Sequence, residues 1–123
     1  MAASNATLHE DPARLGPEAV DRHRAVASIV EELEAVDWYD QRVQVTDDPE
    51  LRAILVHNRD EEKEHAAMLQ EWLRRHDEAL SGHMRTYLFS DGPIREREAS
   101  GPTASSDPST DGSLGIGSLR GGV

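Results

Sequence analysis

The sequence predicts an all-α protein: an antiparallel two-helix hairpin plus a short C-terminal helix, closing into a four-helix bundle only on dimerisation. Three observations predict it. Two long stretches, Pro17 to about Val45 and Glu50 to about Leu80, hold no glycine and no internal proline. Apolar residues recur at helical spacing in the first, at Val26, Ile29, Val30, Leu33, Val36 and Val43, while no period-two alternation persists anywhere. Each stretch also carries ionisable residues in the middle of its apolar stripe, which two helices alone cannot enclose.

The elements follow in order. Met1 to Leu15 has no periodicity and reads as a flexible arm, residues 1–15. Gly16-Pro17-Glu18 is a helix start, with proline at the first helical position and an acid suited to the dipole. Thr46-Asp47-Asp48-Pro49-Glu50 repeats that signal, with Asp48 as N-cap. So tight a connection sets the two helices antiparallel. Each spans roughly 40 Å at about 1.5 Å per residue. Ser81-Gly82 is expected to end the second helix through a left-handed glycine cap. His83 to Phe89, with Met84, Tyr87, Leu88 and Phe89, forms a further helical turn or two. Asp91-Gly92-Pro93 closes a domain over residues 16–93, and residues 94–110, rich in Ser, Pro and Gly, read as a linker.

Composition narrows the function. A net charge of −11 offers nucleic acid no basic surface and would be repelled by an anionic membrane. It suits cations. With no cysteine, disulfides and thiolate ligands are excluded. No apolar run approaches membrane-spanning length and no secretory signal opens the chain, so the cytoplasm is the default compartment.

The chemistry centres on Glu62-Lys63-Glu64-His65, read as Glu-x-x-His. At a spacing of three, Glu62 and His65 project from one helix face. The core register of the second helix runs Leu51, Leu55, Asn58, Glu62, His65, Leu69, Trp72 and His76; that of the first runs Arg22, Ala25, Ile29, Glu32, Val36, Tyr39 and Val43. Antiparallel helices bring their midpoints to one height, so Glu32, Glu62 and His65 should converge. A buried carboxylate needs a cation, a proton or a partner. Glu-x-x-His alone is common on solvated helices; its place in the core register, with Glu32 opposite, favours a metal. One chain supplies half the ligand set of a di-iron bundle, and a symmetric dimer supplies all of it. Asn58 fits a register-setting core polar residue, and Tyr39 either a hydrogen-bonding or redox neighbour of the centre or an ordinary core tyrosine.

Two runs, Glu31-Glu32-Leu33-Glu34-Ala35-Val36-Asp37-Trp38-Tyr39-Asp40-Gln41-Arg42 and His57-Asn58-Arg59-Asp60-Glu61-Glu62-Lys63-Glu64-His65-Ala66-Ala67-Met68, resemble the encapsulated ferritins, as do Trp72-Leu73-Arg74-Arg75 and Arg85-Thr86-Tyr87-Leu88-Phe89. The resemblance covers about Val20 to Pro93. It implies a half-ferritin whose ferroxidase centre forms between two protomers, with dimers assembling into an open ring, a decamer in the family. It implies iron oxidised at the centre and stored inside an encapsulin nanocompartment. Carried over residue by residue, it makes Glu32, Glu62 and His65 the ferroxidase ligands, with Tyr39 nearby and catalytic. It makes Glu31 and Glu34 an entry site, open to other divalent cations, with Trp38 adjacent. It makes His57, Glu61 and Glu64 an outer site; positions 57, 61 and 64 share one helix face, as a salt-bridged solvent face also would.

The last segment, residues 111–123, contains Asp111-Gly112-Ser113-Leu114-Gly115-Ile116-Gly117-Ser118-Leu119-Arg120. Three aliphatics among small residues cannot build a core, but they suit docking as an extended peptide. The segment looks like an encapsulin cargo-loading peptide, which implies a shell protein as partner and the lumen of its compartment, in the bacterial cytoplasm, as location. Two other functions fit the residues: a metal-binding helical bundle without oxidase activity, and an adaptor that enters a shell by its tail.

Overall fold

A computed structural model describes residues 8–100, the last two by backbone alone. They fall into two units, one ending at His76 and one beginning at Asp77. The first holds a 3-10 turn, Pro12–Arg14, followed by helices α1 (Pro17–Val45) and α2 (Pro49–Arg75). The second holds α3 (Glu78–Tyr87) and a 3-10 segment, Ile94–Ser100. No strand occurs among the described residues, and none of their helices is long and apolar enough to cross a membrane.

The hairpin forms where capping chemistry places it. Pro17 opens α1, and α1 stops at Val45 because Thr46 turns to extended backbone while its hydroxyl donates to Arg42 O at 2.6 Å. Asp48 then accepts from Leu51 N at 2.8 Å, the expected N-cap, ahead of Pro49 and Glu50. Two arginines tie the helices together. Arg52 Nε donates to Val43 O at 3.1 Å, giving a partner to a carbonyl that the helix end leaves open. Two turns further, Arg59 Nη1 donates to Asp40 Oδ1 at 2.9 Å, and the same guanidinium reaches Asp60 at 3.2 Å. The pairs 43/52 and 40/59 run in opposite chain directions, which is the antiparallel register that carries Glu32 to the height of Glu62 and His65.

The second helix ends earlier than its composition suggests. It stops at Arg75 and not near Leu80. His76 leaves helical geometry at φ −116° and ψ 16°, and its ring stacks on Trp72 at 3.9 Å. Asp77 then accepts from Leu80 N at 2.9 Å and starts α3. A new N-cap therefore divides the run, and Gly82 lies inside α3 with its carbonyl accepting from the Thr86 hydroxyl at 3.2 Å. The expected linker likewise opens with helical turns at Ile94–Ser100, and the expected arm holds a turn capped by Asp11, which accepts from Ala13 N at 2.9 Å. Residues 101–123, including the cargo-like segment, lie outside the described residues.

The hairpin buries little by itself. Ala25, Val43 and Ala66 are its buried apolar residues, while Val26, Leu33, Leu51, Ile54 and Met68 stay 44–58% exposed. Leu51, expected at a core seat, is among the open ones. Ala25 and Val43 are the buried positions of the α1 stripe, and Glu32 and Tyr39 between them are half-buried. The core of a single chain is thus a thin apolar contact interrupted at its middle by ionisable groups.

Candidate metal centre

Glu32 comes from the middle of α1, and Glu62 and His65 from the middle of α2. Helical spacing sets the second pair, with His65 Nδ1 3.3 Å from Glu62 Oε1. The antiparallel register sets the third member, and Glu32 Oε1 lies 3.5 Å from the same nitrogen. One donor atom from each of the three lies within 4.8 Å of the others. Among the described residues this is the one group of three or more histidine or acidic side chains to close so far. Both carboxylate side chains are 25% exposed and the imidazole 41%, so the cluster opens on one side.

The electrostatics are those of a cation site holding protons. Glu32 is raised above the usual carboxyl range, because its proton is shared in a hydrogen bond with Glu62, because burial disfavours its charge, and because the Glu62 charge repels it. Glu62 is correspondingly held low, since it accepts from Glu32 and from His65. For His65, burial opposes protonation, but the hydrogen bond to Glu62 and the charges of Glu32 and Glu62 outweigh it and raise the imidazole above 6.5. A divalent cation would take the place of these protons: two carboxylates and one imidazole form a donor set for first-row divalent metals, with iron included. Three donors are too few for the six-coordinate preference of such ions, and the open side is where further ligands would enter.

A pH prediction follows from these directions. A group whose folded pKa is raised adds stability that is full below its ordinary value and is lost as pH climbs through the folded value. For His65 in the metal-free protein that window starts at the ordinary 6.5 and extends upward. Thermal midpoints of the metal-free chain measured from about pH 6 to about pH 8 should therefore fall relative to His65→Ala. With bound metal the trend should reverse, because the cation requires the deprotonated groups. Parallel curves for the two metal-free proteins would contradict this.

The remaining predicted residues are placed as follows. Tyr39 is half-buried on the α1 stripe, with the Arg42 guanidinium over its ring at 5.3 Å. Glu31 is exposed, Glu34 half-buried and Trp38 exposed; they share a face of α1 at spacings of three and four, outside the converged group. His57, Glu61 and Glu64 are exposed on α2, and His57 Nε2 lies 3.7 Å from Glu61 Oε2. Sequence reasoning missed one connection: Glu61 Oε1 also faces His65 Nε2, at 3.8 Å. The signal was available, since 61 and 65 are four apart and neighbours on any helix.

The chain as a whole is similar to known proteins. The family profile described as EncFtn-like matches residues 7–91. The chain is 58% identical to the encapsulated ferritin-like protein of Rhodospirillum rubrum, with 98% of this chain and 93% of that protein covered. It is 50% identical to a ferritin-like protein of Thermotoga maritima, over 90% of this chain and 96% of the other. The encapsulin nanocompartment cargo protein EncC of Myxococcus xanthus is 32% identical over 76% and 79% of the two chains. Among solved structures, protein ne0167 from Nitrosomonas europaea superposes with a TM-score of 0.68 at 56% identity, covering 71% of this chain and 96% of that one.

Proposed function

The chain belongs to the EncFtn-like family, and on that premise we propose that it oxidises Fe(II) to Fe(III) with dioxygen at a di-iron centre built by two protomers. The observation that carries the proposal is the convergence of Glu32, Glu62 and His65 within 4.8 Å at the middle of an otherwise apolar stripe. Two such sets across a two-fold axis give four carboxylates and two imidazoles, enough to hold two ferrous ions side by side. The apolar side chains left open on the hairpin support the same step, because a second copy would cover them.

In this proposal Fe(II) is the substrate. The acidic chain draws it in, and salt weakens that attraction. Carboxylates suit the harder ferric product, and the imidazole holds Fe(II) as well. Each ferrous ion gives one electron to dioxygen, and closely spaced ions supply two together. Glu62 would serve as the shared ligand of the two ions, with Glu32 and His65 each holding one. Tyr39, two turns from Glu32 on the same stripe, would act on a group at the centre. Glu31 and Glu34, with Trp38 beside them, lie on the approach. The dimers assemble further into a ring, a decamer, and the product is stored in the lumen of an encapsulin shell in the cytoplasm. Residues 111–123 dock on that shell. Relatives named as encapsulated ferritin-like and as encapsulin cargo support this association.

Aerobic mixing with Fe(II), followed by ferric absorbance, tests the chemistry. Oxidation should run well above the protein-free rate, and a rate equal to buffer would leave a metal-binding bundle without oxidase activity. Deleting residues 111–123 should leave oxidation intact and abolish co-purification with a co-expressed shell protein. Retention of the truncated chain in the shell would reject the tail's role.

A further inference from the structure

Glu61 stands between two histidines on one face of α2. Its Oε1 lies 3.8 Å from His65 Nε2 and its Oε2 3.7 Å from His57 Nε2. His65 turns its other nitrogen, Nδ1, to Glu62 and Glu32 at 3.3 and 3.5 Å. A neutral imidazole carries a single N–H. If Nδ1 is to bind a cation held by Glu32 and Glu62, it must present a lone pair, and the hydrogen must sit on Nε2, the atom that faces Glu61.

We infer that Glu61 is a positioning residue of the metal centre: it accepts the Nε2–H of His65 and so fixes the tautomer and ring plane that offer Nδ1 to the metal. The inference rests on the metal-site proposal above. Its physical basis is general, because a ligating imidazole nearly always donates its second N–H to a carboxylate, a carbonyl or water. A carboxylate there also makes the imidazole a stronger donor.

The helix itself supplies the geometry. Positions 57, 61 and 65 are spaced by four, so the sequence His57, Glu61, His65 exists on α2 whether or not a second chain is present. At 3.8 Å the Glu61 contact is longer than a hydrogen bond. The Glu61 side chain is 48% exposed, so it has room to turn about its own torsions and close the gap. His57 engages the other oxygen and limits that turn. The family resemblance would place Glu61 in an outer site with His57 and Glu64. Yet those three are not drawn together as Glu32, Glu62 and His65 are, and each oxygen of Glu61 already faces a different imidazole.

Cobalt(II) tests this without dioxygen, because its visible absorption reports coordination directly. The full-length wild type, Glu61→Ala, Glu61→Gln, His57→Ala and His65→Ala would be titrated with Co(II) alone. Alanine on an exposed helix face preserves the helix. Glu61→Ala should bind Co(II) about 10- to 100-fold more weakly at the His65-dependent site, with unchanged stoichiometry and a shifted band. Glu61→Gln should recover part of the affinity, since its carbonyl still accepts the N–H but brings no charge. His57→Ala should cost less than Glu61→Ala. Wild-type affinity and band position in Glu61→Ala would overturn the inference. So would the loss of one Co(II) per chain with the remaining affinity intact, which would make Glu61 the ligand of a separate ion. If His65→Ala bound Co(II) as the wild type does, the metal-site proposal itself would fall and the inference with it.

Discussion

Glu62→Ala is expected to lower ferrous oxidation more than about 100-fold while the protein keeps its helical content. Loss of a group that merely supports a metal ligand costs 10- to 100-fold, so loss of a ligand should cost at least as much. Glu62 should be the most damaging of the three because it interacts with both others. It accepts the hydrogen bond that raises Glu32, and it lies 3.3 Å from His65. In the proposed two-protomer centre it would also serve both ions. Alanine is the best helix former, and position 62 is only half-buried, so α2 should remain intact. Stopped-flow absorbance with circular dichroism as the folding control would measure this. A folded Glu62→Ala protein that oxidises Fe(II) at the wild-type rate would place the chemistry elsewhere.

Adding Fe(II) under anaerobic conditions, or Co(II), should move the wild-type chain to a larger species on size exclusion, and His65→Ala should not move. The expectation comes from ligand counting. A single chain presents two carboxylates and one imidazole, and a second chain can supply the protein ligands a bound cation still lacks. Binding that favours the associated state stabilises it by about 2.7 kcal/mol when free metal is 100-fold above its dissociation constant. Association itself costs an estimated 4–15 kcal/mol in lost freedom. Covering the exposed half of the Val26, Leu33, Leu51, Ile54 and Met68 side chains would offset that cost, at about 25 cal/mol per Å² of apolar surface removed from water. Metal and apolar contact therefore favour the same associated state. An elution volume indifferent to metal would refute the coupling. A shift of equal size in His65→Ala would show that metal joins the chains at some other place.

The route from sequence to site was short where one helix held the residues and longer where two did. Glu62 and His65 were legible from spacing alone. Glu32 needed one more step, the antiparallel register, and that was legible because Asp48-Pro49 announces so tight a turn. Glu61 was visible at the right spacing from His65, but spacing cannot say which imidazole nitrogen faces which carboxylate. The end of α2 was misplaced for a similar reason. Glycine at position 82 is a common terminator, yet Asp77 offered an N-cap five residues earlier, and the stacking of His76 on Trp72 selected it. Local propensity permits both endings, and only the realised contacts choose between them.

What the sequence determined by itself was the helical class, the two helix starts, the hairpin and the identity of the three converging groups. These follow from periodicity and capping, which act within a few residues along the chain. The tertiary structure decided the rest. It brought Glu32 to 3.5 Å from His65, pushed the Glu32 pKa up through its hydrogen bond with Glu62 while holding Glu62 down, and turned His65 so that its two nitrogens face different carboxylates. It also showed how little a single hairpin buries. Those outcomes depend on distances of a few ångströms between side chains, Glu32 reaching from a separate helix. Interaction energies change steeply over that range, and sequence spacing does not resolve it.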